Sequence, residues 1–403
     1  MRIRWVILLL LLWTKVGFSQ DSLSIMYYNL LKFPAELPER IIDLRQVLGY
    51  AQPDILVVNE LTSSSGATVI LNEGLNVFGE DRYAAATYYD GTDTDNMLFY
   101  NQDKLGLVSQ EEIPTGLREI SAYQLYYKHP ELGPLADTIY LHVFGMHLKA
   151  GAGYFDQRKA EALTLKYYLN DQGTPENIIA GGDFNFYSGF ESGCQAMLDG
   201  AGVNLYDPID QIGNWSNNDG YADIHTQSTR TASFGGGAGG GMDDRFDLIF
   251  ISEDVFNNEN GLTFLEGSYQ ALGQDGGRFN ASIITPFNAS LPDSVSSALY
   301  YASDHLPVLL RVVTDYTANT HEEKLTAASI QVKYNAYGHH FAFSKTVQNG
   351  ELIIYNQIGQ LIDRYNVKNT NLTTIQKSLK PGLYYLQAQL DGEQVRYKFL
   401  ILN

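Results

Sequence analysis

Ile55-Leu56-Val57-Val58 is an unbroken apolar run, entered through Pro53-Asp54 and closed by Asn59-Glu60. Side chains alternate faces along a strand, so a strand apolar at every position must be covered on both sides. That requirement calls for a layered architecture with structure above and below a sheet. Similar strand signals recur at Ser24 to Tyr28, Asp95 to Tyr100, Ile139 to Met146, Phe246 to Ile251 and Val308 to Val313. Ile178 to Gly182 reads as a strand that breaks on glycines. Helical spacing lies between them, with Ile41, Leu44 and Leu48 inside Arg40 to Tyr50, and a further helix over Asp156 to Leu169. Strands alternating with helices over roughly 300 residues predict one large α/β domain.

The chain is long for a single domain, with 403 residues. Its 44% hydrophobic and 18% charged residues suffice for a packed core. Thr314 to Lys324 is polar, without apolar periodicity, and reads as a linker over 314–324. From Leu325 the pattern changes to short alternating runs at Glu351 to Tyr355, Gly359 to Tyr365, Leu383 to Leu390 and Val395 to Leu402. Asn349-Gly350, Pro381-Gly382 and Asp391-Gly392 are expected to be the turns between them, which predicts a small all-β sandwich over 325–403. Charge divides at the same place. The segment from Leu325 carries eight basic and four acidic side chains, and the chain before it 19 basic and 42 acidic.

At the other end, Arg2 and Arg4 precede an apolar run from Trp5 to Trp13, followed by Gly17-Phe18-Ser19-Gln20. A basic start, a short apolar stretch and small residues describe a secretory signal peptide over 1–20, and the run is too short for a comfortable membrane span. The mature protein is therefore expected outside the cytoplasm, secreted or held at the cell surface. One cysteine, Cys194, excludes a disulfide framework and a Cys-rich zinc site, and is expected as a small buried side chain on a helix. The formal net charge of -19 argues against a non-specific polyanion binder. It leaves open an enzyme that meets phosphate esters through a metal ion.

Polar residues gather where the strands end: Asn29, Glu60, His147, Asp183, Asn185, Asp247, Asp304 and His305. Rigid strand ends in α/β sheets aim side chains into a shared crevice. Glu60 and Asp304 are hard oxygen ligands, with Asn29 and Asn185 as neutral oxygen donors, a set suited to Mg²⁺, Mn²⁺ or Ca²⁺. His147 and His305 can move protons near neutral pH, and Asp247 can orient His305. Taken singly, each has a plain structural role open to it, such as a turn-forming Asn29, a satisfied structural His147 or an Asx turn at Asp183 and Asn185. Their joint occurrence points to metal-assisted attack of water on a phosphate ester. The run Gly235-Gly236-Gly237-Ala238-Gly239-Gly240-Gly241 lacks the Lys and Ser/Thr of a P-loop and reads as a flexible loop near the site.

Tyr28-Asn29, Pro53 to Glu60, Gly182-Asp183-Phe184-Asn185, Arg245-Phe246-Asp247 and Ser303-Asp304-His305-Leu306-Pro307-Val308 resemble, in order, the motifs of the endonuclease/exonuclease/phosphatase superfamily. The resemblance spans about residues 22 to 313, and the catalytic domain is set at 21–313. It implies the DNase I-like fold, an α+β four-layered sandwich of two mixed sheets with helices outside. It implies Asn29, Glu60 and Asp304 as holders of the divalent metal, and Asp183 and Asn185 as orienting the nucleophilic water and the transition-state oxygens. His305 with Asp247 would be the general base or the partner of the phosphate, and His147 would act on the leaving oxygen. Arg118, in Gly116-Leu117-Arg118-Glu119-Ile120, resembles the family's phosphate-contacting arginine, whereas Arg245 is expected to support the site structurally. Near the C-terminus, Leu379 to Leu386, Asp391-Gly392 and Tyr397 to Leu400 resemble the type IX secretion sorting domain of Bacteroidetes, which implies the type IX secretion machinery as a partner. The leading expectation is a secreted, metal-dependent phosphoesterase, an extracellular nuclease. A phosphatase or a phospholipid or sphingomyelin phosphodiesterase is the alternative on the same fold, and a non-catalytic surface binding module the alternative of another class.

Overall fold

The computed structural model describes residues 21–128, 138–199, 202–314, 330–335, 338–356, 360–375 and 382–401. The expected signal peptide over 1–20, the expected linker beyond Thr314 and the expected turn residue Pro381 lie outside the described residues. In chain order the strands before the linker are β1 (Ser22–Phe33), β2 (Ile55–Leu61), β3 (Tyr83–Ala85), β4 (Asp95–Asn101), β5 (Leu105–Ile113), β6 (Ile120–Tyr127), β7 (Tyr140–His147), β8 (Ile178–Asp183), β9 (Leu205–Tyr206), β10 (Asp247–Ser252), β11 (Leu262–Phe264), β12 (Gln270–Ala271) and β13 (Val308–Thr314). The α-helices are α1 (Ile41–Ala51), α2 (Ser64–Val69), α3 (Phe155–Asp171), α4 (Ser192–Leu198), α5 (Glu253–Asn257) and α6 (Asp293–Ala302). None of the helices of the described residues is long and apolar enough to cross a membrane.

Two mixed sheets pack face to face. The first runs β11-β13-β1-β2-β4-β3, with β12 paired to β13, and the second runs β5-β6-β7-β8-β10-β9. The expected apolar run is β2, which lies parallel to β1 and antiparallel to β4 with Ile55 to Val58 fully buried. Tyr27, Val57 and Leu98 of the first sheet share one core with Leu125, Val143, Ile179 and Ile249 of the second. Ile41, Leu44 and Leu48 of α1 and Val295 and Leu299 of α6 cover the outer face of the first sheet within that same core. Ala162, Leu165 and Leu169 of α3 and Cys194 and Met197 of α4 cover the second. The order of layers is helix, sheet, sheet, helix, as the α+β four-layered sandwich requires.

One strand expectation changes. β8 does not break on its glycines: Gly181 packs against the facing sheet and Gly182 against the neighbouring strand β7. A Cβ on Gly181 would lie 2.6 Å from the Tyr27 ring, whose hydroxyl donates to Ile179 O at 3.0 Å. Gly182, at φ +134°, would place a Cβ 2.0 Å from Met146 O, so only glycine fits there. Cys194 is buried on α4 as expected, and burial pushes its thiol up to about 12, which leaves it protonated.

Beyond the linker, β14 (Ile330–Asn335), β15 (Gly338–Asn356), β16 (Leu361–Ile375), β17 (Gly382–Leu390) and β18 (Glu393–Ile401) form an all-antiparallel region. Its described strands join as one five-stranded sheet through β15, which pairs with β14 over its first part and β17 over its second. Asn349-Gly350 is not a turn. Gly350 lies within β15, opposite Val367 on one side and Leu390 on the other, where a Cβ would meet Gln389 O at 2.6 Å. Asp391-Gly392 is the turn expected, with φ of 50° and 94°.

Candidate active site

Strand register places the site. Asn29 of β1 lies beside Asn59 of β2, and on the second sheet His147 and Asp247 both lie opposite Asp183. The β1–β2 ladder then breaks between Asn29 and Phe33, with Leu31 and Lys32 in the left-handed region at φ 47° and 51°. This bulge turns the Lys32 N–H onto Glu60 Oε2 at 3.0 Å. Glu60 itself sits at φ 59° and Asn185 at 52°. For Glu60 that conformation costs about 1–2 kcal/mol, a strain that the surrounding sheets hold in place.

The acids and histidines converge. Asn29 Nδ2 donates to Glu60 Oε1 at 3.1 Å and to Asp183 Oδ2 at 2.9 Å. His147 Nε2 lies 3.5 Å from Asp183 Oδ2 and 3.8 Å from Glu60 Oε1. On the other side His305 Nδ1 is 2.8 Å from Asp247 Oδ2, and its Nε2 is 3.8 Å from Asp183 Oδ2. Asp183 is the hub, 2% exposed, between His147 at 5% and His305 at 4%. Backbone bonds fix the rest. Asn59 Oδ1 accepts from Asp183 N, Thr226 Oγ1 from Asp247 N, and the Ser303 hydroxyl donates to Asn29 O while accepting from His305 N.

Burial sets the protonation of this cluster. It lowers the proton affinity of His147 well below the ordinary imidazole value, with Arg118 adding to the effect, so His147 is neutral at pH 7. Burial raises Asp183 to about 7, with Asp247 and Glu60 adding to the rise and His305 opposing it. Burial also works against charge on His305, but Asp247 and Asp183 outweigh it and hold its proton affinity well above the usual value. The amide nitrogen of Gln227, 2.6 Å from His305 Nε2, opposes a proton there.

Asp304 stands slightly apart. Its Oδ2 accepts from Ala238 N at 2.7 Å and from Gln227 Nε2 at 3.3 Å. Its Oδ1 is buried with no hydrogen-bond partner. The Gly-rich run is therefore fastened to the site and is not a free loop. Ser228 Oγ donates to Ala238 O, Arg230 Nη1 to Phe234 O, and Gly240 N to Thr231 O. A Cβ on Gly237 would press on Asp304 Cβ at 3.0 Å.

Arg118 reaches this neighbourhood without joining the cluster. It pairs with Asp93 at 2.7 Å and donates to Leu148 O at 3.4 Å, while its Nε is buried and unpartnered. Asn185 is held by its own N–H on Asp183 Oδ1 and by its amide on Leu148 O. Arg245 is structural as expected, buried in a bidentate pair with Asp207 and stacked over Trp215.

Among the described residues, two groups present ligand atoms within 4.8 Å of one another: Glu60, His147 and Asp183, and Asp183, Asp247 and His305. The expected metal trio is distributed differently. Glu60 belongs to the first group, Asp304 to neither, and the amide nitrogen of Asn29 faces the acids while its Oδ1 accepts from Leu31 N. The carboxylate-rich donor set and the bare Asp304 Oδ1 fit a hard divalent cation. Gln227 and Thr226 act here through tertiary contacts that no local pattern announces, whereas Asn59 and Ser303 lie inside the sequence motifs without having been assigned a role.

Solved structures resemble the chain at low identity. A TDP2 from D. rerio, complexed with a single-strand DNA product, is 15% identical, covers 72% of this chain and 99% of its own, and gives a TM-score of 0.48. An endonuclease/exonuclease/phosphatase family protein from Bacteroides thetaiotaomicron is 15% identical over 74% of this chain and 100% of its own, with a TM-score of 0.47. The human nocturnin catalytic domain with bound sulfate is 16% identical over 74% and 98%, with a TM-score of 0.46. No curated protein matches the sequence. The model of the Endonuclease/Exonuclease/phosphatase family matches residues 26–305, more than half of the chain, and the chain belongs to that family.

Proposed function

We propose that this phosphate-ester hydrolase is an exported, Mg²⁺-dependent phosphodiesterase that acts as an extracellular nuclease. The observation that carries the reading is the Asp183 hub, a buried carboxylate within 3.8 Å of two histidines, with Glu60 and Asp247 behind them. Glu60 and Asp304 would hold the cation, with Mn²⁺ or Ca²⁺ as substitutes, and Asn29 keeps Glu60 and Asp183 aligned. A bound divalent cation supplies the positive charge that phosphoryl oxygens need in so acidic a crevice. Asp183, with its affinity raised to about 7, orients the attacking water and can take its proton. Asn185 and Arg118 offer donors to phosphoryl oxygens. His305, held by Asp247, faces the phosphate as base or as cation. Neutral His147 serves the leaving oxygen.

Export rests on Arg2, Arg4 and the apolar run to Trp13, and delivery by the type IX machinery rests on the Pro381-Gly382-Leu383-Tyr384 pattern of the C-terminal region. The acidic catalytic region, with 42 acidic against 19 basic side chains before Leu325, favours short or flexible nucleic acid over a long duplex. The purified protein should be incubated with plasmid, RNA, sphingomyelin and bis-p-nitrophenyl phosphate, each with Mg²⁺ and with chelator. Chelator-sensitive cleavage of nucleic acid is expected. Cleavage of sphingomyelin alone would replace nuclease by phospholipase, and no hydrolysis of any substrate would sink the enzyme reading.

A further inference from the structure

Gln227 belongs to none of the sequence motifs, yet it touches two residues of the site. Its backbone bridges to both Asp244 and His305. Its side-chain nitrogen lies 2.6 Å from His305 Nε2 and 3.3 Å from Asp304 Oδ2. An ionised carboxylate only accepts, so the nitrogen end of the amide, with its two N–H groups, faces the crevice. Exposure singles it out again. Asp304 and His305 are 3% and 4% exposed, whereas Gln227 is partly exposed and is the member of the trio that an incoming ligand meets first. With Nδ1–H donating to Asp247 and Nε2 accepting from Gln227, both nitrogens of the neutral His305 ring are engaged, and a proton on Nε2 would set two donors against each other and turn the amide away.

We propose that Gln227 is a specificity-determining residue of this site: its amide holds His305 and Asp304 in the free protein and turns to a non-bridging phosphoryl oxygen when the phosphodiester enters. The role rests on the phosphodiesterase reading above and adds a neutral donor, on the Asp304 and His305 side, to a crevice that also holds the acids Glu60, Asp183, Asp247 and Asp304. A neutral donor suits that place. Its N–H groups are already oriented, and a carboxylate there would set a charge against the phosphate.

Steady-state hydrolysis of bis-p-nitrophenyl phosphate by Gln227→Ala and Gln227→Glu, with Mg²⁺, should be measured together with the imidazole ¹⁵N resonances of His305 in the metal-free protein. Gln227→Ala is expected to raise KM about tenfold with little change in kcat, the loss of one hydrogen bond to a charged group. Gln227→Glu, of the same shape, is expected to raise it further. The His305 Nε2 resonance should move in both variants. An unchanged KM in Gln227→Ala, or a loss confined to kcat, overturns the substrate contact, and an unmoved resonance overturns the contact with His305. If the unaltered protein hydrolyses no ester, the phosphodiesterase reading fails and the substrate contact with it, while the resonance still decides the hold on His305.

Discussion

Asp247 offers a graded test of the His305 arrangement. Its Oδ2 is 2.8 Å from His305 Nδ1, and the two side chains are 1% and 5% exposed, so solvent screens the pair little. Asp247→Asn keeps an acceptor of the same shape and removes the charge. A hydrogen bond to a charged group contributes about 1.5–3 kcal/mol and a neutral one about 0.5–1.5 kcal/mol. The difference, about 1–1.5 kcal/mol, corresponds to roughly a tenfold fall in kcat/KM. Asp247→Ala removes the acceptor as well and lets the ring turn, which at about 3 kcal/mol corresponds to roughly a hundredfold fall. The assay is kcat/KM for bis-p-nitrophenyl phosphate with Mg²⁺ near pH 7, with chemical denaturation to establish that both variants are folded. Activity of the Asn variant within twofold of wild type, or equal losses in the Asn and Ala variants, would refute the reasoning.

Three stability predictions follow from the same packing. Gly182→Ala should destabilise the protein by on the order of 3 kcal/mol, seen as a lowered melting temperature, because a Cβ there meets Met146 O at 2.0 Å. Asp207→Ala leaves Arg245 buried without its bidentate partner and should cost about 3–5 kcal/mol in urea unfolding, with Asp207→Glu losing less. Lys166 is buried on α3 and donates to Met197 O and Val203 O, and burial lowers its proton affinity to about 8. The folded chain then gives up this proton before the unfolded chain does. Stability should therefore rise between pH 8 and the ordinary lysine value of about 10.4. The rise, taken as wild type minus Lys166→Met in denaturant titrations at each pH, should vanish if Lys166 is not its source.

Much of the fold was legible because buried strands leave dense local signals. The run Ile55 to Val58 announces β2, and the spacing of Ile41, Leu44 and Leu48 announces α1. The strands β5 and β6 were not legible, since β5 exposes much of its length and slips register between Leu107 and Ser109, which blurs the alternation. Helix α6 was not legible either, although Val295, Leu299 and Ala302 line its buried face. Glycine misled in both directions. Gly181 and Gly182 look like a strand end, yet Gly181 packs on Tyr27 of the facing sheet and Gly182 on the Met146 carbonyl of the neighbouring strand, and Gly350 looks like a turn and pairs on both sides. Of the site, the strand-end acids and histidines could be read from their places in the chain. The fastening of the Gly-rich run to Asp304 through a backbone N–H could not, because backbone donors carry no residue signature. Gln227 was hidden for a related reason: its side-chain partners lie more than 70 positions away.

The central claim is that the crevice around Asp183 hydrolyses phosphodiesters, with His305 as one of its working groups. The initial rate of bis-p-nitrophenyl phosphate hydrolysis by His305→Ala, set against the unaltered protein with Mg²⁺ and with both shown folded, tests this most directly. A loss of about a hundredfold or more is predicted. Hydrolysis at the wild-type rate would contradict the assignment of the site.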